Sequence, residues 1–106
     1  EFKRVFEKKK YYGGKYLEIF VLENKTNENY LGIAISKKIA NSVNRNRIKR
    51  LIRESFRKIE NNISLGYNIV ILWKKNIDIK YAKYDNIYKD LENILLNAKL
   101  YIRDEI

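Results

Sequence analysis

A chain of 106 residues is the length of one domain with a single core, and its lack of cysteine excludes a disulfide framework and a thiolate metal site. Histidine is absent too, which removes the usual general base near neutral pH, and no continuous apolar run is long enough to cross a membrane. The net charge of +10 calls for a polyanionic partner, and it is concentrated: Lys37 to Lys58 holds nine basic residues against Glu54 alone, +8 of the total.

In chain order, FKRVFEKKK places Phe2, Val5 and Phe6 at i, i+3, i+4, the stripe of a short amphipathic helix that Gly13 and Gly14 end. Tyr11 and Tyr12 have the composition of a short extra strand. KYLEIFVLE then reads as a strand with Leu17, Ile19 and Val21 on one face and Phe20 on the other. The polar turn NKTNEN leads into a further strand, YLGIAIS, and the two are expected to pair as a hairpin. Asn41, Ser42 and Asn44 are candidate N-caps for a helix from about Val43 to Asn61, whose apolar residues Ile48, Leu51, Ile52, Phe56 and Ile59 recur at helical spacing. SLGY stops this helix. YNIVILW follows as a mostly buried strand, then the basic loop KKNIDIK. A last helix, from about Tyr81 to Tyr101, turns Ile87, Leu91, Ile94 and Leu95 inward. Each helix has one apolar face, so the expected architecture is a single α+β domain over residues 1–106, a small sheet with helices packed against it.

Lysine is this chain's ordinary cation, with 16 lysines to 7 arginines, yet Arg45, Arg47, Arg50, Arg53 and Arg57 fall within thirteen residues. The guanidinium fork engages phosphate bidentately and stacks on flat rings, so this segment is suited to grip a partner. Asn46, Lys49, Arg50, Arg53 and Arg57 line one ridge of the predicted helix, with Arg45 and Arg47 at its first turn and Lys37 and Lys38 just before it. A helix face held only for solubility mixes its charges, and this one has Glu54 as its only acid. Nothing comparable points to catalysis by the protein: there is no phosphate loop, no nucleophile elbow, and Asp90 and Glu92 face different ways on their helix.

At GIAISKKIANSVNRNRIKRLIRESFR the sequence closely resembles the protein subunit of bacterial ribonuclease P. The pattern is a strand, Ser-Lys-Lys (Ser36, Lys37, Lys38), then a helix with Arg-Asn-Arg (Arg45, Asn46, Arg47), Lys49, Arg50 and Arg53. The resemblance extends more weakly over nearly the whole chain. It implies a two-layer α+β sandwich with a mainly antiparallel sheet and a left-handed βαβ crossover around the arginine helix. It further implies a cytoplasmic ribonucleoprotein that removes the 5′ leader of precursor tRNA, with hydrolysis carried by the RNA subunit and its magnesium, and no protein-borne catalytic residue or metal site. By position, Arg45, Asn46, Arg47, Lys49, Arg50 and Arg53 would contact the catalytic RNA, with Lys37 and Lys38 close by, and Arg57 joins these RNA-binding candidates from the same ridge; one protein per RNA is expected. A cleft including Phe2, Phe6 and Phe20 would receive the single-stranded leader. Two other readings share the basic helix: a general RNA-binding protein of ribosomal type, and a transcription factor with the helix in a DNA major groove. The second lacks a companion helix, since strand and turn precede the arginines, and DNA is not an expected partner. Attachment to an anionic membrane is disfavoured because the helix's apolar face has a sheet to cover.

Overall fold

The computed structural model describes residues 9–101. The expected first helix, with Phe2 and Phe6, lies outside them. Four strands are present: β1 (Lys10–Gly13), β2 (Leu17–Glu23), β3 (Tyr30–Ala34) and β4 (Tyr67–Trp73). Two α-helices accompany them, α1 (Ser42–Ile59) and α2 (Tyr84–Asn97), with short 3-10 turns at Glu60–Asn62 and Ile79–Tyr81. The extra strand around Tyr11 and Tyr12 is therefore real. The last helix is shorter than its sequence pattern at both ends: Ile79–Tyr81 forms a separate turn ahead of it, and Lys99, with φ +62°, leaves helical conformation just past its end.

The sheet order is β1-β2-β4-β3, with β1–β2 and β2–β4 antiparallel and β3–β4 parallel. This corrects the expected hairpin: β2 pairs with β1 and β4, and β4 lies between β2 and β3. The loop between β2 and β3 explains why. Its asparagines are bonded to the start of β4: the Asn24 amide N–H donates to the Gly66 carbonyl (2.9 Å), Asn24 Nδ2 to Asn68 Oδ1 (3.0 Å), and the Tyr67 amide to Asn29 Oδ1 (2.9 Å). A loop tied to β4 in this way passes over its end and delivers β3 to its far side. Gly66 makes the approach possible, since it has φ +97° and a Cβ there would meet the Thr26 carbonyl oxygen at 2.8 Å.

Strand alternation sorts the residues into two faces. Leu17, Ile19 and Val21 of β2 stand opposite Trp73, Ile71 and Ile69 of β4, and all six are buried. They form one core with Ile48, Ile52, Phe56 and Ile59 of α1 and Ile87, Leu91, Ile94 and Leu95 of α2. Helix α1 starts at Asn41, whose side chain accepts from the Asn44 amide at 2.9 Å, so one of the three candidate caps is selected.

One buried charge joins α2 to the sheet. Asp90, 7% exposed, sits on the apolar stripe of α2 and accepts the backbone N–H groups of Lys15 (2.7 Å), Tyr16 (2.9 Å) and Leu17 (2.8 Å). These donors run from the turn after β1 into the first residue of β2. Gly14 lets the carboxylate come this close, because a Cβ on it would lie 2.6 Å from Asp90 Oδ1.

Candidate nucleic-acid interface

The arginine cluster divides into two kinds of residue. Arg45 Nη1 donates to the Ala40 carbonyl at 2.8 Å, and Arg47 Nη2 to the Ala82 carbonyl at 2.9 Å. These two therefore fasten the start of α1 to the segments before each helix, Arg45 locally and Arg47 through a contact that only tertiary placement reveals. Arg50, Arg53 and Arg57 are exposed and make no hydrogen bond or ion pair among the described residues, even though Glu54 lies on the same helix. Asn46 is exposed beside them, whereas Lys49 is half-buried. Lys37 and Lys38 are exposed in the connection from β3 to α1.

Helix-dipole physics explains only part of this pattern. Arg57 and Lys58 stand in the last turn, where cations stabilise a helix, but Arg45 and Arg47 stand near the positive end and the first turn has no acid. Arg50 and Arg53 are too far from either end to benefit. Uncommitted guanidinium groups one helical turn apart suit the repeated phosphates of a nucleic acid.

Phe20 lies on the opposite face of the sheet from the core and is half-buried. Sequence reasoning missed its neighbours. Tyr11, its partner across β1–β2, places its ring centroid 5.2 Å away, and Lys9 Nζ lies 4.6 Å from the Phe20 centroid. The Tyr11 hydroxyl donates to Glu18 at 2.9 Å, and that bond raises its pKa above the ordinary tyrosine value. Val70, paired with Phe20 in β4, is 39% exposed and extends the apolar surface. The signal available in the sequence was the alternation of Tyr11 with Tyr12, which does not by itself say which strand lies alongside.

Among the described residues no group of three or more His, Cys, Asp or Glu side chains is placed to hold a metal ion, and the buried Asp90 is already held by three amides. No described helix is long and apolar enough to cross a membrane.

Comparison with known proteins agrees with the fold. Residues 1–99 match the family model for ribonuclease P. The ribonuclease P protein component of Clostridium botulinum (strain Langeland) is 38% identical over 98 residues, covering 92% of this chain and 83% of the relative. That of Clostridioides difficile (strain 630) is 34% identical over 103 residues, covering 96% and 89%. Among solved structures, the RNase P protein of Staphylococcus aureus superposes with a TM-score of 0.76 at 30% identity, covering 95% of this chain and 91% of that one. The Thermotoga maritima RNase P protein shares the fold with a TM-score of 0.78, covering 98% and 93%.

Proposed function

The chain belongs to the bacterial ribonuclease P protein family, and from that premise we propose that it binds the catalytic RNA through α1 and the 5′ leader of precursor tRNA through the outer face of its sheet. The single observation that carries the reading is the row of exposed guanidinium groups on Arg50, Arg53 and Arg57, none of them paired within the described protein. Phosphates of the RNA supply the missing partners, with Asn46 and Lys49 beside them and Lys37 and Lys38 at the approach to the helix. Arg45 and Arg47 act by holding that approach in place.

The leader, as single-stranded RNA, needs stacking surface as well as charge. Phe20 and Tyr11 supply rings and Lys9 a cation at the same spot. Phe2 and Phe6 are assigned to this cleft by their place in the family's motif. Hydrolysis then belongs to the RNA subunit and its magnesium, which the RNA and substrate hold; the protein supplies binding and orientation. The working compartment is the cytoplasm, where precursor tRNA is matured.

The test is cleavage of precursor tRNA at low magnesium by a bacterial ribonuclease P RNA, with and without this protein, and with the protein alone as control. Strong stimulation with release of the 5′ leader, and no cleavage by the protein alone, is the expected result. Binding to the RNA without any change in its activity would favour a general RNA-binding protein instead.

A further inference from the structure

The basic loop after β4 is not used by either surface above, and the topology gives it company. Because β3 and β4 are parallel, their connections to α1 and α2 leave the sheet at the same end. The antiparallel β2 begins there, bringing Lys15 and Tyr16 alongside, and the Lys74 amide donates to the Tyr16 carbonyl at 2.9 Å. One connection carries Lys37 and Lys38, the other Lys74, Lys75, Lys80 and Lys83, and Asp78 is the only acid in either. The Asp78 carboxylate accepts the Lys80 amide at 2.9 Å, closing the turn. Lys38 and Lys75 line a common cleft of about 400 Å³.

Three aromatic rings stand in the middle of this charge. Tyr16 stacks on Trp73, with centroids 5.7 Å apart and planes 14° from parallel, and Tyr81 lies 6.1 Å from Tyr16 at 31°. Trp73 is buried and fixed by its indole N–H, which donates to the Ile77 carbonyl at 2.8 Å, whereas Tyr81 is 44% exposed. Each tyrosine has its own ammonium: Lys15 Nζ is 5.5 Å from the Tyr16 centroid and Lys80 Nζ 5.2 Å from that of Tyr81. Core packing accounts for Trp73 but not for an exposed ring with a lysine over it. Arg47, bonded to the Ala82 carbonyl, connects the cluster directly to the start of the arginine helix.

We infer that Tyr81 and Tyr16, backed by Trp73, form a second stacking platform, which takes an unpaired base of single-stranded RNA while Lys15, Lys80, Lys75 and Lys38 meet the flanking phosphates. A surface cation over a ring is held weakly, so a phosphate draws the ammonium aside and leaves the ring face to the base. The inference rests on the RNA-binding reading and extends it from α1 to the β4–α2 connection.

The full chain is titrated with a short single-stranded oligoribonucleotide and with an abasic chain of the same length and charge, following emission of Trp73, the sole tryptophan. The platform predicts a change in Trp73 emission with the base-bearing oligonucleotide and little with the abasic one. Tyr81→Ala should weaken the former about five- to hundredfold and leave the latter unchanged, with Tyr81→Phe near the parent. Should Tyr81→Ala lower the melting temperature, the base dependence of Trp73 emission in the unaltered protein decides alone. Trp73 emission that stays indifferent to the base-bearing oligonucleotide as it binds, while ribonuclease P RNA still binds, overturns the platform only. If neither the oligonucleotides nor ribonuclease P RNA bind, the RNA-binding reading falls and the platform with it.

Discussion

Helices α1 and α2 contribute to the same core, yet they use their charged residues in opposite ways. On α2, Asp90 turns inward and all of its interaction is with the backbone of Lys15, Tyr16 and Leu17. On α1, Arg50, Arg53 and Arg57 turn outward and have no partner within the described protein. Both helices carry charge, but the fold explains Asp90 of α2 and gives no role to the outer row Arg50, Arg53 and Arg57 of α1. A charged group that completes a hydrogen-bond set is a structural element, and a row of them left without partners is a surface made for something else.

Breaking the first half of this contrast should give the largest effect. Asp90→Ala leaves three amides at the start of β2 without their acceptor, and hydrogen bonds to a charged acceptor are worth about 1.5–3 kcal/mol each before compensation by water. We expect a loss of about 3–5 kcal/mol in urea unfolding. RNA affinity measured well below the new midpoint should keep the parent's salt dependence; a changed salt slope there would mean that α2 also takes part in binding.

The outer face sharpens the contrast from the side of the sheet. Phe20→Ala should weaken binding of precursor tRNA with a long leader by about 1–3 kcal/mol, the worth of one stacked base, with mature tRNA little affected. An equal loss for both substrates would return Phe20 to a packing role. The smallest effect is expected at the helix start. Asn41→Ala removes the cap on the Asn44 amide and should cost about 1 kcal/mol of stability, read as a shifted urea midpoint with unchanged slope.

The elements of the fold were legible in the sequence because apolar spacing reports directly on local geometry. The stripe Ile48, Ile52, Phe56, Ile59 located α1, and the alternation of Leu17, Ile19 and Val21 with Phe20 assigned the two faces of β2. Strand partners were not legible. Alternation says which way a side chain points, not which strand lies beside it, and the insertion of β4 between β2 and β3 depends on Asn24 and Asn29 bonding to residues some forty positions away. Asp90 could have been read: an acid in the middle of the stripe Ile87, Leu91, Ile94 must find partners if the stripe is buried. The carbonyl contact of Arg47 could not, because Ala82 reaches Arg47 only after the whole sheet has formed.

The most direct test of the central claim is the salt dependence of binding to ribonuclease P RNA, compared between the parent protein and the double variant Arg50→Ala, Arg53→Ala. Each lost phosphate contact should lower the slope of log K against log salt by about 0.7–0.9, so the double variant should fall short of the parent by roughly 1.5 with its melting temperature unchanged. An unchanged slope accompanied by a lower melting temperature would contradict the account and make the arginine ridge part of the fold.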